Sequence, residues 1–451
     1  MAFPPVFGNG TPKGEDIVMR YKLRYSLFFF AMTLYVFSSN FIHPVTPTLV
    51  QNLNLPDYMF GLMPAATLLF MFLFSPFWGK ITTMISSRNT LLITSIGYSF
   101  AQLCLAYCTQ PGSLLAMRSL AGFFGSGSFV AFLTYVINTA RSEDQAKFLT
   151  YSATIQAVAA PFGYLAGGVL GEWSLIGTFY IHASTVVVSG FIFRLVCEAD
   201  FPHASKLPLR DIIKDSNPLQ AILDGRHFMT KAFALLFAVN VLMNFGNFCF
   251  DHAFNYYLKD QLHLTSSYNG IIKAAVGFVS FAANMSLCMW ILHKTNVRKS
   301  MISVALFCTL AAAGVLLLPN MAVYVACSIM VYAGYSVSLP LVQHMSAEES
   351  DPAQKNLVMG FYNATKWMGS VIGSLTAGLL YSFHAQLPFA AAAAASTAAF
   401  TSSTVPLNLI ATINGTGRAS ALPGLFLSKV STDTAAALHP ASSATNAAAS
   451  P

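Results

Sequence analysis

An all-α membrane protein built as two related six-helix bundles is the fold the sequence predicts, and three observations predict it. The chain of 451 residues is 55% hydrophobic and only 9% charged, against about 25% charged residues in a typical soluble domain. Its apolar residues fall in blocks of about 20, the length that crosses the hydrocarbon core of a bilayer. Its lysines and arginines occupy every second connector between those blocks, the asymmetry that fixes topology in membranes.

The blocks place spans at 25–50, 59–79, 89–109, 112–138, 149–171, 175–197, 231–258, 267–292, 299–318, 320–344 and 356–383, with a weaker twelfth at 387–412. The longest polar stretch, 198–230, divides them six and six. It carries Lys206, Arg210, Lys214 and Arg226 among Pro, Asp and Ser, as a surface linker does. The basic connectors hold Arg20, Lys22 and Arg24; Lys80 and Arg88; Arg141 and Lys147; the linker; Lys294, Arg298 and Lys299; and Lys355. The alternate connectors hold only Lys259. Cytoplasmic loops keep the basic excess, so both termini are expected in the cytoplasm. Met1 to Glu15 is polar, with no apolar core of a signal peptide, so the first span is expected to remain in the protein.

Internal repetition supports the division. Leu55 to Ala66 (LPDYMFGLMPAA) lies without a gap over Leu264 to Ala275 (LTSSYNGIIKAA), and each copy leads through Trp78 or Trp290 to a short basic connector. Gly163-x-x-x-Gly167 in the fifth span pairs likewise with Gly369-x-x-x-Gly373 in the eleventh. Two repeats facing each other around a midplane site is a transporter architecture.

After His384 the composition turns from Phe, Tyr and Met to Ala, Ser and Thr, and residues 413–451 read as a low-complexity tail. Such a change is what a shifted reading frame would leave. The expected domains are therefore an N-terminal segment 1–24, a bundle 25–197, a cytoplasmic linker 198–230, a second bundle 231–412 and the tail.

Several function classes lose support at this level. The net charge of +7 is spread over connectors, which argues against nucleic acid as a partner. Seven cysteines lie in or beside apolar blocks without a C-x-x-C pair, so they read as core residues. No phosphate loop, H-E-x-x-H helix, metal-spaced cluster or G-x-S-x-G elbow occurs. No metal, cofactor or catalytic residue is therefore expected, and the energy for transport would come from an ion or solute gradient.

The chain resembles the major facilitator superfamily of secondary transporters over roughly residues 20–383. The connector Gly79 to Arg88 (GKITTMISSR) keeps the opening glycine and the final basic residue of the family's G-x-x-x-D-R/K-x-G-R-R/K loop, with Thr83 where that loop has an acid. The resemblance makes Gly79, Lys80 and Arg88 a gating loop and the acid's absence a departure from it. Arg118 followed by Gly122 and Gly125 is similar to the family's pattern on the fourth helix. Pro161, Gly163, Gly167 and Gly168 resemble the proline and glycine motif of family exporters, with Ala160 where a glycine commonly precedes the proline. Small residues of this kind also serve close helix packing.

Ionisable side chains at bilayer depth mark functional sites by default. Asn240, Asn244, Asn247, Asp251 and Asn255 recur on one face of the seventh span, a polar stripe that suits a cavity between the halves or a seam glued by asparagines. Asp251 and Lys273 reach similar depth, as does Arg118. A bridge that breaks and re-forms between states would couple transport to protons, while a static pair would only hold structure. Lys366, with Asn363 one turn before it, lies near mid-depth with no acid in its segment. The first span offers only Asn40 and His43. Arg118, Lys273 and Lys366 against Asp251 leave a surplus of positive charge, which favours an anionic or polar neutral solute over a cationic drug.

The expectation is a monomeric, multi-pass transporter of the cell membrane that carries a small solute, with protons as the expected second partner and the bilayer as its solvent. A multidrug proton antiporter is the alternative within the class, and a non-transporting receptor or scaffold the alternative outside it.

Overall fold

The computed structural model describes residues 14–200, 216–317, 320–350 and 354–413. The tail beyond 413 and the linker residues Lys206, Arg210 and Lys214 lie outside them. Among the described residues, those up to Ser403 form one compact unit, and those from Thr404 on, the last turns of the final helix, fall in a second.

Twelve long helical rods make up the described chain: α1 (Gly14–Ser39), α2 (Met59–Ile85), α3 (Ser87–Leu105), α4 (Pro111–Thr139), α5 (Ser142–Trp173), α6 (Leu175–Val196), α7 (Lys231–Asp260), α8 (Ser266–Lys294), α9 (Val297–Leu317), α10 (Met321–Glu348), α11 (Lys355–Phe383) and α12 (Leu387–Ile413). No strand occurs among the described residues. Eight of the rods, α2 and α4 to α10, are long and apolar enough on their own to cross a membrane. The rods overrun the expected spans mainly at the ends that carry Lys and Arg. Lys80, Arg88 and Lys147 accordingly sit on helical turns rather than in loops, where long basic side chains can reach the interface.

The expected first span, 25–50, is two pieces. α1 begins at Gly14 and stops at Ser39, and a short helix, Thr46–Asn52, follows a run of turns. Pro44 explains the break, since it lacks an N–H and disfavours helix in the residue before it, while Pro47 stands in the first turn of the short helix, where proline is tolerated. His182 of α6 contacts the Ser38 carbonyl at the break through Nδ1 at 2.8 Å.

Within the first half, α1 packs on α5 and α6, α2 on α4, and α3 on α4 and α6; in the second, α7 packs on α11 and α10, and α10 on α8 and α9. The halves meet through α2 with α11 and α5 with α8. Glycines set the closest approaches, and they do so twice over. A Cβ on Gly163 would lie 2.1 Å from the Phe37 carbonyl and 2.9 Å from the Asn40 Cβ; on Gly369 it would lie 2.5 Å from the Val241 carbonyl and 3.2 Å from the Asn244 Cβ. One turn on, Gly167 faces the Phe41 carbonyl at 2.2 Å and Gly373 the Phe245 carbonyl at 2.3 Å. The repeat read in the sequence is thus a repeat of contacts. It makes Asn40 and Asn244 equivalent residues of the two halves.

The Ala-rich segment also folds. Phe389, Ala392, Ser396 and Ala399 of α12 are buried, Phe389 edge-on to Phe250 of α7 at 5.2 Å and Ser396 hydrogen-bonded to the Tyr335 hydroxyl of α10 at 2.9 Å. Alanines serve here because a small face lets α12 lie close against two aromatic-rich neighbours.

Candidate functional site

The polar stripe on α7 divides by depth. Asn240 is fully buried and its Nδ2 donates to the Tyr362 carbonyl and to Thr365 Oγ1 of α11, both at 2.9 Å. Asn244 is also fully buried and donates back to Asn240, to the carbonyl at 2.9 Å and to Oδ1 at 3.0 Å. Asn240 thus joins α7 to α11 as a seam residue would, and Asn244 braces it from within α7. Asn240→Ala should therefore cost about 1–3 kcal/mol, the penalty for stranding buried polar groups, and lower thermal stability in detergent without changing which solutes are carried. Asn247, about one turn beyond Asn244, is half-buried.

Farther along the same face, Asp251 is paired with Lys273 of α8, whose ammonium also donates to the Tyr332 hydroxyl of α10 at 2.6 Å. Lys273 is 6% exposed, and the Tyr332 ring lies 4.3 Å from its ammonium. The Nδ1 of His252 stands 3.9 Å from the other Asp251 oxygen. This pair, expected from depth alone, ties three helices of the second half together.

Arg118 is 4% exposed on α4 and donates through Nη2 to Thr46 Oγ1 at 2.8 Å. It has no acid partner among the described residues. It borders a cavity of about 40 Å³ with His43, Tyr164, His252 and Asn255. The His43 ring stacks on Tyr164 at 5.4 Å. Asn40, the other polar residue of the first span, bonds instead to its own helix at the Val36 carbonyl. On α11, Lys366 is half-buried beside the Trp367 ring at 5.7 Å, and Asn363 is exposed on the same face. Arg118 and Lys366 are thus the interior cations left over once Lys273 is neutralised.

The two faces of the α5 motif serve different partners. Gly163 and Gly167 hold α1, as above. A Cβ on Gly277 of α8 would come within 2.0 Å of Pro161, and one on Gly168 within 2.4 Å of the Ser266 carbonyl. Pro161 and Gly168 therefore meet the other half.

At the connector between α2 and α3, Thr83 is exposed and donates to the Lys80 carbonyl at 2.7 Å. Space around Gly79 is open, and Arg88 is half-buried. An acid reaches this connector from elsewhere: Asp200, past the end of α6, accepts from Ser86 Oγ at 2.6 Å, from Ser87 N–H at 2.8 Å and from the Ser87 hydroxyl. It thereby caps the first turn of α3, where a carboxylate suits the helix dipole. Sequence reading missed it because it sits far along the chain from that loop.

Also missed was the end of the molecule opposite the basic connectors. There Phe60 of α2 stacks on Tyr256 of α7 at 4.5 Å and meets Tyr381 of α11 edge-on at 5.1 Å. The Tyr256 hydroxyl donates to Asp57 at 2.7 Å and the Tyr381 hydroxyl to Asp260 at 2.8 Å. Ser374 Oγ donates to the Gly61 carbonyl at 2.9 Å, Thr48 and Ser266 hydroxyls lie 3.2 Å apart, and Glu172 accepts from the Ser267 N–H at 3.2 Å. Gly61 and Gly378 bring the backbones of α2 and α11 together. The halves are sealed at this charge-poor end. Two acids, Asp57 and Asp260, in connectors otherwise short of charge were the available signal.

The sequence model of the family described as the Major Facilitator Superfamily matches residues 28–364 and 236–409. The chain is 24% identical over 350 residues to the Staphyloferrin B transporter of Staphylococcus aureus (strain NCTC 8325 / PS 47), covering 75% of this chain and 81% of that protein. It is 22% identical over 366 residues to the multidrug resistance protein MdtG of Proteus mirabilis (strain HI4320), covering 78% and 88%. Among solved structures it is similar to a bacterial homologue of the human lysosomal transporter Spinster, in an inward-facing and unoccupied conformation, with a TM-score of 0.69 at 12% identity over 86% of this chain and 98% of that one.

Proposed function

The chain belongs to the major facilitator superfamily and is a multi-pass membrane transporter of the secondary type, and from that premise we propose that it carries an anionic or polar neutral solute in exchange or symport with protons. The observation that carries the reading is the charge balance of the interior. Lys273 has Asp251, while Arg118 and Lys366 have no acid among the described residues. Cations at bilayer depth without counter-ions are costly, and a bound anion would supply what the fold does not. Asp251 with Lys273 is the proton-linked latch in this reading, and Asn247, Asn255, Asn363 and His43 complete the pathway.

The seal around Phe60, with the basic connectors at the other end, suits a chain whose termini and linker 198–230 lie in the cytoplasm of a cell-membrane protein and whose pathway faces inward. Alternating access would then rock the bundles 25–197 and 231–412 about the α2–α11 and α5–α8 contacts, with one chain sufficient as a monomer. The gating loop Gly79, Lys80 and Arg88 would act at the inner end, with Asp200 in place of the loop acid.

Proteoliposomes offered anionic, sugar and cationic solutes, with and without a pH gradient, test this. Saturable uptake of an anionic or sugar solute that responds to the gradient is the expected result. Movement of cationic drugs alone would replace the reading with the multidrug one that the MdtG relative suggests. No uptake of any solute would favour a receptor or scaffold.

A further inference from the structure

The small cavity beside Arg118 is built across both halves. Arg118, His43 and Tyr164 belong to the first, His252 and Asn255 to the second, and Phe60 with Tyr256, two rings of the seal, also line it. Three polar atoms at its wall have no hydrogen-bond partner among the described residues: Arg118 Nε, His252 Nε2 and Asn255 Oδ1. Arg118 and Asn255 are 4% and 7% exposed, so bulk water does not satisfy them. Asp251 is held by Lys273 and does not line the cavity.

We propose that this chamber binds one small anionic group, the carboxylate of a carried solute or a free halide, between Arg118 and His252, and that its binding holds the charge-poor end shut. The inference rests on the anion reading above and gives it an anchor. Volume limits the occupant: about 40 Å³, where about 10–15 Å³ on the same measure holds one water, is room for a few waters or one small group. A carboxylate or halide fits; the body of a metabolite would have to extend toward the centre. An anion on the free edge of the guanidinium gains a charge-assisted hydrogen bond. The Asn255 amide, turned over, presents its Nδ2 to the same point, since its O and N assignment follows the bonding network. Because the donors come from opposite halves, the anion binds only where the halves meet, and it shifts the population toward that state.

The test is the thermal unfolding of the purified full chain in detergent, in a buffer whose only anion is HEPES, titrated with sodium formate or sodium chloride. Formate should raise the Tm saturably in the wild type, lose this effect in Arg118→Gln, and need at least about tenfold more formate in Arg118→Lys, which keeps the charge without the planar fork. A response to formate alone identifies a solute carboxylate, and an equal response to chloride a resident inorganic anion; both support the chamber. No saturable shift with either salt, or the same shift in Arg118→Gln, overturns it. If Arg118→Gln does not fold, an unchanged midpoint in Arg118→Lys overturns it equally. Anion uptake into proteoliposomes without any shift would remove the chamber and leave the transport reading. A shift without anion uptake would do the reverse.

Discussion

Replacing Asp251 with Asn is expected to destabilise the protein by about 3–5 kcal/mol, the cost of leaving a buried ion without its partner. Lys273 is 6% exposed, and Tyr332 is its other hydrogen-bond partner. The hydroxyl solvates the ammonium but does not neutralise it. The double variant Asp251→Asn, Lys273→Met removes both charges and should recover most of the loss, because an apolar replacement of a buried pair is often neutral. Thermal unfolding of the two single variants and the double gives the coupling directly. If the effects simply add, the pair is not a unit. Transport separates latch from brace: a pH-driven uptake that survives in the double variant would show that the bridge only holds α7, α8 and α10 together.

The substitution Gly378→Val should lower transport by about ten- to a hundredfold, since overpacking costs about 1–3 kcal/mol and about 1.4 kcal/mol is tenfold in any equilibrium the change disturbs. A Cβ at position 378 falls 2.4 Å from the Tyr58 carbonyl, and backbone cannot move aside as a side-chain tip can. α2 and α11 must separate, and the stack of Phe60 between Tyr256 and Tyr381 opens with them. The state can be read from a disulfide between Thr48→Cys and Ser266→Cys, whose hydroxyls lie 3.2 Å apart across the seal. It should form readily in the parent and poorly in the Gly378→Val background. Equal cross-linking with unimpaired uptake would mean that this contact is not a gate.

Much of the architecture was legible because lipid imposes it. Where a rod must be apolar for about 20 residues, its centre is visible in composition, and α4, α7, α8 and α11 fall within a few residues of expectation. The break in α1 was hidden because the apolar run continues through Pro44 and Pro47 into the short helix 46–52. The α7 stripe was ambiguous as a function, since period alone cannot say whether a neighbour or a cavity lies opposite. Asn240 and Asn244 turned out to meet α11, whereas Asp251 meets Lys273. The Tyr256 and Tyr381 bonds to Asp57 and Asp260, and the Asp200 cap on α3, join residues distant in the chain or on separate helices, and no local pattern encodes them.

The adjacent glycines Gly167 and Gly168 carry a consequence for how this segment can evolve. One residue turns an α-helix by about 100°, so Gly167 grips the Phe41 carbonyl within its own half while Gly168 slides against Ser266 of the other. A single inserted or deleted residue between Gly163 and Gly168 would turn one glycine into the other's contact and carry the second away from both, placing a bulky side chain in a contact that admits none. Substitutions to small residues can be absorbed here, but a change of length cannot. This stretch of α5 should be as intolerant of insertions as the connectors around it are permissive.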